Sequence, residues 1–289
     1  MRAYALRGLE YYYGGEKIFT TEEIPAPPTG ATIGVFTVSE TKQVYFSKGN
    51  LQYQASTNTW RFAENQWDYI GNDNSNISSS YSGWIDLFGW GTSGYNHGAV
   101  CYQPWSTSTS YRDYYAYGIY TYNLNDRTGQ ADWGCNAISN GGNTTKTWRT
   151  LTSEEWVYVF YTRSTPSGIR YAMAQVNEVN GVILLPDDWS SSNYSLSGTN
   201  DSWASYSSNN ISQSDWTNRL EANGAVFLPA AGCRYGTIAY NVSSYGHYWS
   251  STAYSEIDAY NLYFNSYGGW YAANSEYRCN GFSVRLVCE

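Results

Sequence analysis

Apolar and polar positions first fall into a readable pattern after residue 30. Phe36-Thr37-Val38 and Val44-Tyr45-Phe46 are short apolar-rich runs. Leu51-Gln52-Tyr53-Gln54 and Trp60-Arg61-Phe62 alternate on either side of ASTNT, which predicts a hairpin. A Gly-, Ser- and Asn-rich region follows, about residues 71–145, with aromatics embedded in it. WIDLFGWGTSGY, Trp84 to Tyr95, is its most apolar piece. So long a loop region in a compact chain is expected to pack onto the core through those rings. The period then changes to that of a helix in TLTSEEWVYVFYTR. There Thr152 and Glu155 form a capping box, and Trp156, Val159 and Phe160 share one face. YAMAQVNEVNGVILLP predicts a second hairpin with Asn180-Gly181 as its turn. SQSDWTNRLEANG predicts a weaker helix, capped near Ser212 or Ser214 and stopped by Gly224. AVFLPAAG after it reads as a buried strand. At the far end Phe282, Val284 and Leu286 alternate with Ser283 and Arg285, as in a half-buried strand. Just before them, Tyr263, Tyr267, Trp270, Tyr271 and Tyr277 sit among small polar residues with no clean period, and the chain there looks like loop. The order of elements predicts an α+β fold with two main helices, short antiparallel sheets and long loops.

Residues 1–24 stand apart from this pattern. PAPPTG, Pro25 to Gly30, reads as a stiff connector, so the expected organisation is an N-terminal extension and hinge over 1–30 and a main domain over 31–289.

Composition sharpens the picture. The chain of 289 residues has 31 Tyr and 13 Trp against only 16 Lys plus Arg, and its net charge is −8. A nucleic-acid interface needs a basic footprint, and an anionic membrane surface would repel this charge, so neither partner is expected. No apolar run is long enough to insert into a bilayer. Residues 1–20 lack the basic start and apolar stretch of a secretory signal. Export by another route, release within a particle, and a signal preceding this sequence all remain open. The cysteines, Cys101, Cys135, Cys233, Cys279 and Cys288, are odd in number and without C-x-x-C spacing. This argues against a zinc site or redox dithiol and favours mostly free or buried thiols, with one or two disulfides as the alternative.

Several short blocks carry a family likeness. RTLTSEEW (149–156), VFLPAAGCR, YWSST (248–252) and GFSVRLV (281–287) occur in an order that resembles proteins with the C-type lectin-like fold of the formylglycine-generating-enzyme type. Within that group the chain is similar, over about residues 34–289, to the variable proteins of diversity-generating retroelements from bacteriophages and gut bacteria. The resemblance implies that a reverse transcriptase randomises adenines in the 3′ coding segment. The fold would then display the altered side chains on one face, where they bind a ligand. Mutated AAY codons give mainly Tyr, Ser, Asp, His, Gly, Ala, Ile and Cys. On that basis the resemblance implies a variable region of about 233–280. Its binding face would comprise Tyr235, Ile238, Ala239, Tyr240, Tyr245, His247, Ala253, Tyr254, Ile257, Asp258, Tyr263, Tyr267, Trp270, Tyr271, Ala272, Ala273 and Ser275. Glu256, Glu276 and Trp270 depart from the simple codon scheme. Tyr248, Trp249, Phe264 and Phe282 are expected in the core.

Physics gives the same stretch an independent reading. Tyr mixed with Ser, Gly and Asn is the composition of antibody loops, where rigid rings give contact area at low entropic cost. Together with what the resemblance implies, the expectation is a non-enzymatic adhesin or receptor-binding module on a phage tail or cell surface. It would need no cofactor or metal, its partner would be a protein or glycan on a target cell, and it could form a homo-oligomer. Two rival readings use other residues. One is an enzyme of the formylglycine-generating type, or a sugar hydrolase within the long loops; Cys279 and Cys288 are too far apart for the cysteine pair of the former. The other is a particle component that self-associates through the aromatic face. His97 and His247, the only histidines, lack a nucleophile elbow and read as structural or contact residues. Asp187-Asp188 reads as a turn or cap rather than a catalytic pair. The motifs of calcium-dependent sugar binding are missing from the sequence.

Overall fold

The computed structural model describes residues 4–7, 10–13, 26–265, 267 and 269–289; the side chains of residues 4–13 and of Trp270 lie outside this description. Most of the expected extension and Pro25 likewise lie outside it. The strands are β1 (Tyr4–Arg7), β2 (Glu10–Tyr13), β3 (Ala31–Thr37), β4 (Gln43–Ser47), β5 (Leu51–Gln54), β6 (Thr59–Phe62) and β7 (Arg149–Thr150). Helix α1 (Ser153–Val157) continues as a π-turn over Tyr158–Thr162. It is followed by β8 (Tyr171–Val176), β9 (Val179–Leu184) and β10 (Asn210–Ile211). Helix α2 (Gln213–Asp215) also widens, over Trp216–Leu220. Then come β11 (Val226–Pro229), β12 (Cys233–Tyr235), β13 (Ile238–Tyr240), β14 (Tyr245–Ala253), β15 (Asp258–Asn265), β16 (Trp270–Tyr277), β17 (Asn280–Gly281) and β18 (Leu286–Cys288). The fold is α+β, with short, mostly antiparallel sheets and few helices. The sheets run β3-β4-β18-β7, β10-β8-β9-β11, β13-β12-β17 and β14-β15-β16, beside the pairs β1-β2 and β5-β6.

Local chemistry explains both helices. The Thr152 hydroxyl accepts from Glu155 N, and the Glu155 carboxylate accepts from Thr152 N, which closes the capping box. The same carboxylate takes two bonds from the Arg149 guanidinium at 2.7 and 2.8 Å. Ser212 caps α2, and Gly224 ends that helical segment at φ 83°. The hairpin turn differs from expectation. Val176 pairs with Val179, so Asn177-Glu178 form the turn, both at positive φ, while Asn180 and Gly181 lie inside β9. Gly181 is needed there because a Cβ would strike Leu228 O and the Phe227 ring.

Three apolar clusters fill the interior. The first packs α1 (Trp156, Val159, Phe160) between Phe36 and Phe46 on one side and Tyr248, Leu262, Phe264 and Ala272 on the other. The second gathers Trp60 of β6 and Phe88, Trp90 and Trp133 of the loops around Trp249, Phe282, Val284 and Leu286. The third seats Trp216 and Leu220 on Phe227. The 71–145 region thus packs inward through its rings, as the sequence suggests. Buried arginines secure its backbone. Arg234 bonds the carbonyls of Leu87, Ser106 and Gly236, and Arg278 bonds those of Tyr120, Ser255 and Asp258. Loop carbonyls need donors once buried, and one guanidinium supplies several.

Two expectations about the C-terminal stretch fail. The segment from Tyr263 to Tyr277 is not simply loop; it supplies the end of β15, from Tyr263 to Asn265, and all of β16. Ser283 and Arg285 are as buried as Phe282, Val284 and Leu286. This stretch has structure on both sides, and Arg285 reaches Asn50 and Gln66 at 3.2 and 2.6 Å.

Candidate binding face

The sheet β14-β15-β16 positions the candidate site. Cross-strand pairs put Tyr245 and Asn265, His247 and Tyr263, and Tyr263 and Tyr271 on one face. The opposite face carries Tyr248, Leu262 and Phe264 into the α1 core. The first face is open at the end nearest Tyr245 and Tyr271, whereas its other end, with Trp249 and Ala259, is covered by the second core.

At the open end lies a pocket of about 340 Å³ lined by Cys233, Asn241, Tyr245, His247, Tyr263, Asn274, Glu276, Asn280 and Phe282. Its walls are aromatic. The Tyr245 and Tyr263 rings meet edge to face, 5.8 Å apart at 81°. Tyr263 is 4.9 Å from His247, which stacks at 4.2 Å on Phe282. Tyr271 stacks on the outer side of Tyr263 at 6.4 Å and is 58% exposed. The Tyr263 hydroxyl accepts from Asn265 Nδ2, and Asn265 Oδ1 accepts from Tyr267 N at the hairpin tip, where Tyr267 is 80% exposed. On the other flank exposed Tyr240 pairs with Cys233, and exposed Tyr235 pairs with Asn280, whose amide donates to Glu276 at 3.4 Å. Exposed tyrosines thus stand on both sheets that supply residues to the pocket, and are called the rim below.

Electrostatics at the base are dominated by burial. Burial pushes His247 down to about 4, against the opposing effect of its bond to Asn261, so the ring is neutral near pH 7. Burial, then the negative charge of Asp258, raises Glu276, while bonds from Asn274 and the Tyr277 backbone oppose the shift. Burial, then Glu276, pushes the Cys233 thiol up to about 11. All five cysteines are free.

Not every expected residue belongs to the rim. Ala272 is buried against α1 and His247 is covered by Phe282 and Tyr263; both expectations of outward display are corrected. Asn261 pairs with Asn274 and Tyr263 with Tyr271, so Ala272 and Ala273 both oppose Leu262. This bulge sends Ala272 inward and leaves Ala273 exposed. Ala273 lies with Tyr260 beside α1, in a shallow hollow with Glu154, Val157 and Tyr158, and exposed Tyr254 packs on Tyr260 at 4.8 Å. Ala253 is half-buried on the second core. Ile238 is exposed, while Ala239, Ile257, Asp258 and Ser275 are half-buried. Trp270 takes part in β16, but its side chain lies outside the described residues.

The sequence reading missed several members. Trp203, 75% exposed, follows Ser202, whose carbonyl accepts from Gly269 N beside the hairpin tip. A Trp in the polar loop TNDSW was the available signal. Tyr161 on the α1 extension is exposed, bonds the Ala272 backbone and lies near Tyr271. Asn241, Asn274 and Asn280 gave no such signal, because amides are common throughout this chain.

The remaining candidates are structural. His97 Nε2 bonds Gly91 O, and its Nδ1 accepts from Tyr117 N. Asp187 accepts from Thr37 and Arg163, while Asp188 is exposed. Among the described residues no helix is long and apolar enough to cross a membrane.

A family model described as a domain of unknown function (DUF8237) matches residues 194–287, about a third of the chain. The match takes in Trp203, α2 and every residue lining the pocket. No curated protein and no solved structure matches the chain.

Proposed function

We propose that this chain is a ligand-binding protein that uses a C-type lectin-like scaffold to present an exchangeable aromatic face, as an adhesin or receptor-binding module on a phage tail or a bacterial surface. The observation that carries the reading is the rim itself. Tyr271 on β16 and Tyr267 at the hairpin tip are exposed on a sheet whose reverse side is locked to the core, and Tyr235 and Tyr240 are exposed on the neighbouring sheet β13-β12-β17. Tyrosine in such a setting supplies area and a hydroxyl at little entropic cost, and a few such anchors carry most of a binding energy, about 2 kcal/mol or more each. The partner is a protein or glycan of a target cell. The diversification mechanism rests on the sequence resemblance and on the exposure of the rim tyrosines.

Two display libraries test this. In one, Tyr235, Ile238, Tyr240, Tyr267 and Tyr271 are varied among Tyr, Ser, Asn and Asp; in the other, exposed Thr217 and Asn218 of the α2 extension are varied with their neighbours. Selection on unrelated purified proteins should yield binders from the first library only, with unfolding midpoints close to the parent's. Collapse of most first-library members, or equal success of the second, overturns the reading. Light scattering separates the rival. A parent oligomer that Tyr267→Ala with Tyr271→Ala dissolves would make the face a self-association surface.

A further inference from the structure

Within that face, and resting on the proposed binding role, the geometry points to a cation site: the pocket bounded by Tyr245, Tyr263, His247 and Glu276 takes an alkylammonium or guanidinium group. Three features support this. First, the rings are arranged as a corner, not a platform. Tyr245 and Tyr263 stand nearly perpendicular, and His247 closes the base above Phe282. Aromatic walls at right angles around a small volume suit a compact cation, which is attracted to the ring surface left open toward the pocket. A sugar ring prefers one flat open face, and Tyr271 outside the pocket is the better platform for that.

Second, the pocket holds a carboxylate that lacks a cation. Glu276 is half-buried, the charge of Asp258 bears on it, and among the described residues no Lys or Arg pairs with it. Its bonds come from amides, that of Asn280 at 3.4 Å, and a neutral donor offsets little of the charge. Arg278, two residues on, is committed to the carbonyls of Tyr120, Ser255 and Asp258. A half-desolvated carboxylate gains more from an incoming cation than an exposed one does. Third, nothing else in the pocket competes for the positive role: His247 is neutral, and the lining amides Asn241, Asn274 and Asn280 can turn their oxygens toward N–H donors. The chain's net charge of −8 draws cations toward the site.

The shared chemistry has two sources, the side chain of a basic residue on a protein partner or a free quaternary or primary ammonium. Calorimetry and saturation-transfer NMR on the full chain test both. The probes are N-acetyl-arginine amide, N-acetyl-lysine amide and tetramethylammonium, with N-acetyl-citrulline amide as the neutral analogue. Saturable binding of at least one cation, with citrulline amide bound at least about tenfold more weakly, is the expected result. Binding by the amino-acid amides but not by tetramethylammonium assigns a side-chain ligand; the reverse assigns a free ammonium. Glu276→Gln should cost about tenfold or more. Tyr245→Leu, which keeps an apolar side chain there and removes the π-face, should cost several-fold. Glu256→Gln, on the nearby loop and paired with Arg112, should change nothing. Equal binding of the neutral analogue, no binding of any cation, or full affinity in Glu276→Gln overturns the cation site. If rim libraries still yield binders in a Glu276→Gln background, only this inference fails and the broader binding role stands.

Discussion

Arg285 lies fully buried with Gln66 and Asn50 as its side-chain partners, and its pKa is pushed down to about 10, chiefly by burial. Alternation in the sequence places it on a wet face, since an arginine between apolar residues is normally solvated. Only the tertiary structure reveals that residues 50 and 66 meet it there. The same blindness applies to His247. Its neighbours in sequence say nothing of Phe282 and Tyr263, which cover it. Its burial has a consequence for acid stability. The folded pKa is lowered from 6.5 to about 4, so the unfolded chain takes up the proton first as pH falls. This contribution is intact above pH 6.5 and is lost between there and about pH 4, a loss of about 3 kcal/mol. Asp86 works in the opposite sense. Burial raises it from 3.8 to about 6, so protonation of the folded state stabilises it as pH falls through that range. The two nearly cancel in the parent. His247→Gln should therefore gain stability relative to the parent, by about 3 kcal/mol, as pH drops from 7 to 4. Urea midpoints across that range measure it, and parallel curves for the two proteins would refute the assignment.

At the scale of elements, what the sequence carries is what local chemistry decides. The Thr152–Glu155 box, the Ser212 cap and the Gly224 stop are all in place, because each involves residues within a turn of one another. The hairpin between β8 and β9 was visible but its turn was not. Asn180-Gly181 has the favoured turn residues, yet the inward set of Met173, Val182 and Leu184 fixes a register in which Asn177-Glu178 must bend. Strands β15 and β16 have no clean period in the sequence for a related reason. Their two faces meet different surroundings along their length, and the bulge at Ala272-Ala273 breaks the period of two. Two adjacent alanines thus have opposite fates that composition could not distinguish. Ala273→Tyr should leave stability within about 0.5 kcal/mol of the parent. Ala272→Tyr must force a ring among Phe160, Leu262 and Phe264, and should destabilise by more than about 3 kcal/mol or prevent folding. Thermal melts of the two variants decide the matter. Equal tolerance would mean that the bulge does not set the orientation, and the assignment of rim positions would have to be redrawn.

Over the whole molecule the chain closes on itself, and that closure holds the segment that carries the exposed tyrosines. The segment from Cys233 to Asn280 leaves β11, builds the face, and returns through β17 to β18. Strand β18 lies between β4 and β7, with Val287 opposite both Phe46 and Arg149. This segment is thus held at both ends by sheet partners from elsewhere in the chain, and Arg234 and Arg278 tie its margins to the loops before it. Replacing outward side chains leaves these ties unchanged; cutting the return strand does not. Deleting residues 286–289 removes the buried side chains of Leu286, Val287 and Cys288 and strips an interior strand from its sheet. Burial of two such aliphatic side chains alone is worth about 3–6 kcal/mol, comparable to the whole stability of a typical domain. The unpaired edges of β4 and β7 add to the cost. The truncated chain should lose cooperative unfolding and bind a hydrophobic dye, and it should lose the rim although no rim residue was touched. Circular dichroism on heating and dye fluorescence read both effects. A truncated chain that still melts cooperatively would show that the face is held by β14–β16 alone, without the closure at β18.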